Sequence, residues 1–359
     1  MTTAGKKGTG ERTVSYTCSY VPEEIILAAG LVPRRVIPEA RPSEADAYMH
    51  PNTCYYVKSL LASGLVEADA GVDAIVFANS CDAMRRLNDV WREYVEAVPA
   101  FFLDVPKKRD PASIEFFASE LRRFADKLEE AFPGARVTGQ SLGEAIGQCN
   151  RARLLMDRVF GLLGDADSGI SGMSVLELCL EGTRSHPAAF AGMLEKFLSD
   201  SRKGKASNGG PRILLTANVI HRPELITLVE DLGGHVVALD SCIGARHYET
   251  LVNADSEDPM LALAERSLGK ASCARMQGME ERFQRLKKLA SDTGANGIIY
   301  STLKFCDMYL YEAPLMRMNC EDAGLSFLFL ENDYEWTGLE QMKTRVEAFL
   351  AMIGERGAI

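Results

Sequence analysis

The sequence predicts an α/β chain with two parallel-sheet domains facing a cleft and an additional helical segment between them. Three observations predict this. Near both ends of the chain, short apolar runs alternate with amphipathic stretches, the pattern of parallel strands joined by crossover helices. The middle carries only the three- and four-residue spacing of helices. The second alternating part also repeats the plan of the first. "YTCSYVPEEIILAAGLVPRRV" lines up with "TANVIHRPELITLVEDLGGHVV", each giving a strand, a short loop, a Pro-Glu helix start, a glycine and another strand.

Residues 1–13 are polar and are expected to form a disordered N-terminus. The first α/β domain spans 14–110. "VSYTCSY" reads as a strand end, and Pro22-Glu23-Glu24 opens a helix that runs through "EEIILAAG" to Gly30. "VPRRVI" gives a second strand and "CYYVKSLLASGL" a second helix. The apolar run Ala74–Ala78 has the composition of a buried strand; a helix over Met84–Val95 and the strand "AFFLDVP" follow. The helical segment spans 111–205 and contains "SIEFFASELRRFADKLEEAF" and "SLGEAIGQCNRARLLMDRVFGLL". "SRKGKASNGGPR" reads as a linker. The second α/β domain, 206–359, offers "RILLTANVI", a helix through "PELITLVEDLGG", then "HVVALD", "GIIYS", a helix after Cys306, "LSFLFLE" and a closing helix in "LEQMKTRVEAFLAMI". Paired α/β units of this Rossmann-like kind bind ligands beyond the C-terminal ends of their strands.

Composition excludes several function classes. A net charge of −10 with no basic stripe argues against a nucleic-acid partner. No signal-peptide core or membrane-length apolar run is present, so the expected location is the cytoplasm. There the nine cysteines stay reduced, which leaves them as ligands, nucleophiles or core thiols.

Their positions divide them. Cys81 follows the Ala74–Ala78 strand and precedes Asp82 and a helix, where the helix dipole favours a thiolate. "GIIYSTLKFCDMYLY" repeats that arrangement with Cys306-Asp307. Cys54 has a looser counterpart in Cys273, and Cys18 and Cys242 also fall in loops after strands. Cys149 and Cys179 lie within helical stretches and Cys320 near a helix end, positions typical of buried structural thiols. No cysteine has a His and Asn partner set of the kind nucleophilic catalysis uses. Zinc sites favour close Cys-x-x-Cys pairs, and none exists here. Widely spaced loop cysteines from separate elements suit an iron–sulfur cluster held at a domain cleft.

"YTCSYVPEEIILAAGLVPRRV", "NSCDAMRRLNDVW", "HRPELITLVEDLGGHVVALDSCIGARH" and "LKFCDMYLYE" together resemble the 2-hydroxyacyl-CoA dehydratase D-component family, which includes benzoyl-CoA reductase subunits. The resemblance runs from Val14 onward. It implies one of two cofactors: a [4Fe-4S] cluster held by three cysteines with one iron open, or the double-cubane [8Fe-9S] cluster of a second branch. The six placed cysteines and "DSCIGARH" look more like the double-cubane branch, which makes Cys18, Cys54, Cys81, Cys242, Cys273 and Cys306 the candidate ligands. It also implies a homodimer and an ATP-hydrolysing iron–sulfur activator as electron donor. The chain itself has no G-x-x-x-x-G-K-[ST] loop.

Two further pairs are candidates for proton donation or for stabilising an anionic ligand: His221-Arg222 before a helix start, and Arg246-His247 after Cys242. The bland alternative for each is a solvated loop pair. Glu331 and Asp333 end the last strand and are expected to cap or to make domain contacts. Three functions stay open. The leading one is an ATP-dependent iron–sulfur reductase acting on a small substrate. The others are a 2-hydroxyacyl-CoA dehydratase subunit and an electron carrier without a substrate of its own.

Overall fold

A computed structural model of the chain describes residues 12–66, 71–165, 167–200 and 209–356. Residues 1–11 of the expected disordered N-terminus and most of the expected linker lie outside the described residues, while Thr13, expected in that terminus, opens the first strand. The chain divides into two compact units. The first contains the residues up to Arg151 together with Thr183–Ala188 and Thr250–Lys270. The second contains Ala152–Gly182, Ala189–Glu249 and the residues from Ala271 onward.

The sheet of the first unit is built from β1 (Thr13–Tyr16), β2 (Val32–Arg35), β3 (Ala74–Ala78) and β4 (Ala100–Leu103), in the order β2-β1-β3-β4. All pairings are parallel, with Tyr16 opposite both Arg35 and Val76. Every residue of β3 is buried, as its unbroken apolar run requires of a central parallel strand. Helices α1 (Glu23–Ala28), α2 (Tyr55–Val66) and α3 (Asp82–Tyr94) supply the crossovers. Gly30, at φ +74° just past α1, provides the left-handed turn that the Pro-Glu…Gly pattern anticipates. Where α2 meets α3, a Cβ on Gly64 would overlap the Trp91 ring, so glycine sets how closely these helices approach.

Helix α4 (Pro111–Ala131) starts with Asp110 accepting from the Ser113 N–H at 2.8 Å and Pro111 at the first helical position. It packs in the first unit against α10 (Pro259–Gly269). Helix α5 (Gly139–Gly164) has its residues to Arg151 in the first unit and the rest in the second. Helices α6 (Gly172–Gly182) and α7 (Pro187–Asp200) complete the helical stretch, which is thus apportioned between the units.

The second unit repeats the topology of the first. Strands β5 (Arg212–Ala217), β6 (His235–Asp240), β7 (Gly297–Leu303) and β8 (Ser326–Asn332) are parallel in the order β6-β5-β7-β8. Helices α8 (Glu224–Asp231), α9 (Ala245–Tyr248), α11 (Met279–Asp292), α12 (Asp307–Asp322) and α13 (Leu339–Arg356) surround them. Gly297 opens β7 where a side chain would collide with Phe349 and Ile353 of α13. The shared strand order is the structural counterpart of the repeated sequence pattern: an α/β fold of two parallel-sheet units. Among the described residues, no helix is long and apolar enough to cross a membrane.

Candidate functional site

In the first unit the chain leaves β1 toward β2 and leaves β3 toward β4, so the switch point of the sheet lies between β1 and β3. Cys18 follows β1 and Cys81 follows β3, which puts them beyond the C-terminal ends of neighbouring strands. Cys54 directly precedes α2, and its carbonyl accepts from the N–H groups of Val57 at 2.9 Å and Lys58 at 3.1 Å. Cys81 caps α3 in extended backbone, its carbonyl accepting from the Arg85 N–H at 3.1 Å. Cys18 and Cys54 are buried and Cys81 half-buried.

The surroundings tie these loops together. The Thr17 N–H donates to the Val76 carbonyl at 3.1 Å, and the Tyr56 hydroxyl reaches the carbonyls of Thr17 at 3.2 Å and Val36 at 3.1 Å. Two ammonium groups lie at this edge. Lys107 donates to the carbonyls of Asn79 and Ser80, each at 2.6 Å, just ahead of Cys81. Buried Lys270 donates to the Ser19 carbonyl, beside Cys18, and lies 4.8 Å from the centre of the Tyr20 ring. Each cation donates to backbone carbonyls and places positive charge next to a thiol-bearing loop.

The second unit uses the equivalent edge differently. Cys242 follows β6, yet its N–H bonds to the carbonyl of Asn218, one residue past β5, at 3.2 Å. The chain leaving β6 therefore folds over the end of β5, the strand equivalent to β1. Cys306 caps α12, and its carbonyl accepts from Tyr309 and Leu310 at 3.0 and 3.1 Å. The residue before it, Phe305, has φ +62°, a conformation that a bulky side chain rarely adopts and that clusters at functional sites. Cys273 lies in the loop between α10 and α11 and is buried.

Here side chains reach the sulfurs directly. Arg275 donates from Nη1 to Cys273 Sγ at 3.7 Å and from Nη2 to Cys306 Sγ at 3.9 Å, so one guanidinium spans both thiols. The Tyr309 hydroxyl is hydrogen-bonded to Cys273 Sγ at 3.6 Å and accepts from Arg246 Nη1 at 2.5 Å. Arg246 also donates to the carbonyls of Ala217 and Asp240 and is 3.4 Å from the Asp240 carboxylate. Asp240 is held in turn by Thr216 at 2.6 Å and Arg285 at 2.8 Å.

The electrostatics separate the cysteines. Burial alone pushes the Cys273 thiol up, but Arg275, Arg246, the Arg275 N–H and Tyr309 outweigh it and hold the group below the ordinary thiol value. Burial leaves Cys179 well above that value and pushes Cys320 up to about 12. Arg246 is stabilised as a cation against its burial by Asp240, Tyr309, Cys273 and Cys242. Burial also opposes ionisation of Asp240, and the charges of Arg246 and Arg285 overcome it.

Of the proposed proton donors, Arg246 belongs to this network. His221 is buried, stacked on Tyr334 with ring centres 3.8 Å apart, and directs Nε2 at the Tyr334 carbonyl 3.4 Å away. Burial and the neighbouring Arg222 charge depress it to about 3, so it is neutral at physiological pH. Arg222 is partly exposed and lies 3.7 Å from Glu224. His247 is buried, edge-on to Tyr248 at 4.7 Å. Asp333 accepts from the Thr337 N–H at 2.9 Å, holding the loop after β8.

Sequence reasoning passed over Arg275, Tyr309 and Arg282. Arg282 of α11 donates to Ser272 Oγ at 3.2 Å, to the Met276 carbonyl at 2.9 Å and to Glu312 of α12, with the Nε bond at 2.9 Å. It clamps the loop carrying Cys273 against the helix that Cys306 caps. Spacing offered a signal for two of the three: Arg275 follows Cys273 by two residues, and Tyr309 lies one helical turn beyond Cys306. Among the described residues, no group of three His, Cys, Asp or Glu side chains is drawn together tightly enough for a single metal ion.

Comparison with known proteins gives these features a family. The family model described as "2-hydroxyglutaryl-CoA dehydratase, D-component" matches residues 18–353. The (R)-phenyllactyl-CoA dehydratase beta subunit of Clostridium sporogenes is 25% identical over 348 residues, covering 95% of this chain and 91% of its own. A benzoyl-CoA reductase subunit of Thauera aromatica is 26% identical, covering 89% and 86%. The (R)-2-hydroxyglutaryl-CoA dehydratase subunit beta of Acidaminococcus fermentans is 22% identical, covering 96% and 93%. With the match running from the first candidate cysteine almost to the end of α13, the chain belongs to the 2-hydroxyglutaryl-CoA dehydratase D-component family.

Proposed function

We propose that this protein is an iron–sulfur reductase that receives low-potential electrons from an ATP-hydrolysing activator and reduces a small substrate. Its cofactor in this reading is a double-cubane [8Fe-9S] cluster, with Cys18, Cys54, Cys81, Cys242, Cys273 and Cys306 as the candidate ligands. When bound, such a cluster supplies an electron store at low potential. The reading rests on one observation above all: two units of the same topology each carry three cysteines in loops around the C-terminal edge of the sheet.

The donor set suits that group. Thiolates are the ligands iron–sulfur clusters take, and each binds its own iron, so the sulfurs of a cluster site stand apart. A mononuclear ion would need them drawn together, which is not the arrangement among the described residues. Bringing several thiolates into a buried site accumulates negative charge, and Arg246 and Arg275 offset it in the second unit. Lys107 and Lys270 do so in the first. Arg246 is placed to stabilise charge; His221, neutral and stacked, is placed to hold Tyr334.

A second reading, a [4Fe-4S] subunit of a 2-hydroxyacyl-CoA dehydratase, draws support from relatives named as dehydratase beta subunits. In either case the chain is a component of an enzyme system. We place it in the cytoplasm of an anaerobically growing cell, as a homodimer under the reductase reading. Anaerobic purification with iron and acid-labile sulfide analysis separates the cofactors. Substrate turnover with an activator and ATP, with no sister subunit, then separates reductase from dehydratase and from pure electron carrier.

A further inference from the structure

We propose that Arg275 and Tyr309 are positioning residues that donate hydrogen bonds to the sulfurs of Cys273 and Cys306 and so raise the reduction potential of the cofactor those cysteines hold. The inference rests on the iron–sulfur reading above. It adds to that reading a pair of residues and the property they set.

The geometry carries it. Arg275 has no acceptor atoms, so its contacts at 3.7 and 3.9 Å with the two sulfurs can only be donations. Its planar fork fixes the separation of the two sulfurs in a way a single ammonium would not. Tyr309 is directed from the other side. Its oxygen accepts from Arg246 at 2.5 Å, and Arg246 is itself anchored on the Asp240 carboxylate and on the carbonyls of the last residues of β5 and β6. A cysteine sulfur acting as a metal ligand is a thiolate and can only accept. Once Cys273 is in that state, the phenol is the donor across the 3.6 Å contact. Cys273 thus meets Arg275 and Tyr309, and Cys306 meets Arg275, with Tyr309 itself held by Arg246. Hydrogen bonds to cluster sulfurs favour the more negative, reduced state and move the potential upward. In the first unit the lysines donate to carbonyls next to Cys18 and Cys81 and so position charge there.

The test is a reductive titration of the anaerobically reconstituted full-length protein with Ti(III) citrate, followed by EPR, alongside iron analysis. Tyr309→Phe removes one hydroxyl and Arg275→Gln removes the fork. Each is expected to keep its iron and to be harder to reduce by about tenfold in the equilibrium constant, 59 mV for a one-electron step. Tyr311→Phe, on the exposed side of the same helix, is expected to match wild type. If Arg275→Gln loses iron, Arg275→Lys with full iron content decides the point, because it keeps the charge and loses the fork. Full iron content with unchanged potentials in Tyr309→Phe and in the arginine variant would overturn the proposal while leaving the iron–sulfur reading intact. A wild-type protein that takes up no iron would overturn both.

Discussion

Replacing Glu312 by glutamine tests whether the loop bearing Cys273 is held by a single clamp. Glu312 on α12 and Arg282 on α11 have side chains only 8% and 11% exposed, so solvent screening discounts their interaction little. Both Arg282 Nε and Nη2 bond to the same carboxylate oxygen. Removing one partner of a buried pair costs about 3–5 kcal/mol when nothing replaces it. Here Arg282 keeps Ser272 Oγ and the Met276 carbonyl as acceptors, and glutamine keeps an oxygen, so about 2–3 kcal/mol is expected. Arg282→Gln should cost more, because it leaves a buried carboxylate and also frees the loop. Urea unfolding of the metal-free chain by circular dichroism reads the effect: at a slope of about 3 kcal/mol per molar, the midpoint of Glu312→Gln falls by roughly 1 M. The double variant should show a coupling energy above about 1 kcal/mol. Single effects that simply add would mean that the pair does not act as a unit and that the clamp has been misread.

Three further outcomes follow. His221 is protonated below about pH 6.5 in an unfolded chain but stays neutral in the fold to about 3, so the unfolded state binds the extra proton and stability falls as pH drops through that window. His221→Phe keeps the stacking on Tyr334 and removes this slope; by pH 5 the variant should have gained about 2 kcal/mol relative to wild type, at 1.36 kcal/mol per pH unit, and parallel stability curves would contradict the assignment. Gly64→Ala should destabilise the chain by about 1–3 kcal/mol and shift Trp91 fluorescence, because the added methyl overlaps the indole; an unchanged spectrum would show that the helices part freely. Cys149→Ser, Cys179→Ser and Cys320→Ser should leave iron content as in wild type, the buried thiols of α5, α6 and α12 being packing groups; iron loss in any of them would move that residue among the ligands.

The alternation of strands and helices was readable wherever buried strands were short, apolar and bounded by turn residues, as at Ala74–Ala78 and Gly297–Leu303. The internal repeat was readable because both units preserve Pro-Glu at a helix start, and Cys-Asp after the third strand of each sheet. Helices α10 and α11 carry their own start signals, Asp258-Pro259 and an acidic first turn after Gly278, but in sequence they sit between better-marked strands and went unnamed. The place of Cys242 was not legible. It follows the strand equivalent to β2, and its bond to Asn218 brings it beside β5. Partners such as Arg282 and Glu312, thirty residues apart, or Lys270 and Ser19, 251 apart, are joined by packing alone. No periodicity records such a meeting.

Iron and acid-labile sulfide per chain, measured on wild type and on Cys81→Ser and Cys306→Ser purified without oxygen, decide whether the strand-end cysteines are cluster ligands. These two cysteines occupy equivalent positions, each capping the helix after the third strand of its unit. Serine binds iron poorly, so a ligand position loses iron where a core position loses only stability. About eight irons per wild-type chain are expected, with a loss of iron in both variants and an altered EPR spectrum of the reduced state in each. About four irons per chain, with Cys18→Ser and Cys273→Ser silent, would contradict the double cubane in favour of the dehydratase-type site. Full iron retention in Cys81→Ser would remove that residue from the ligands altogether.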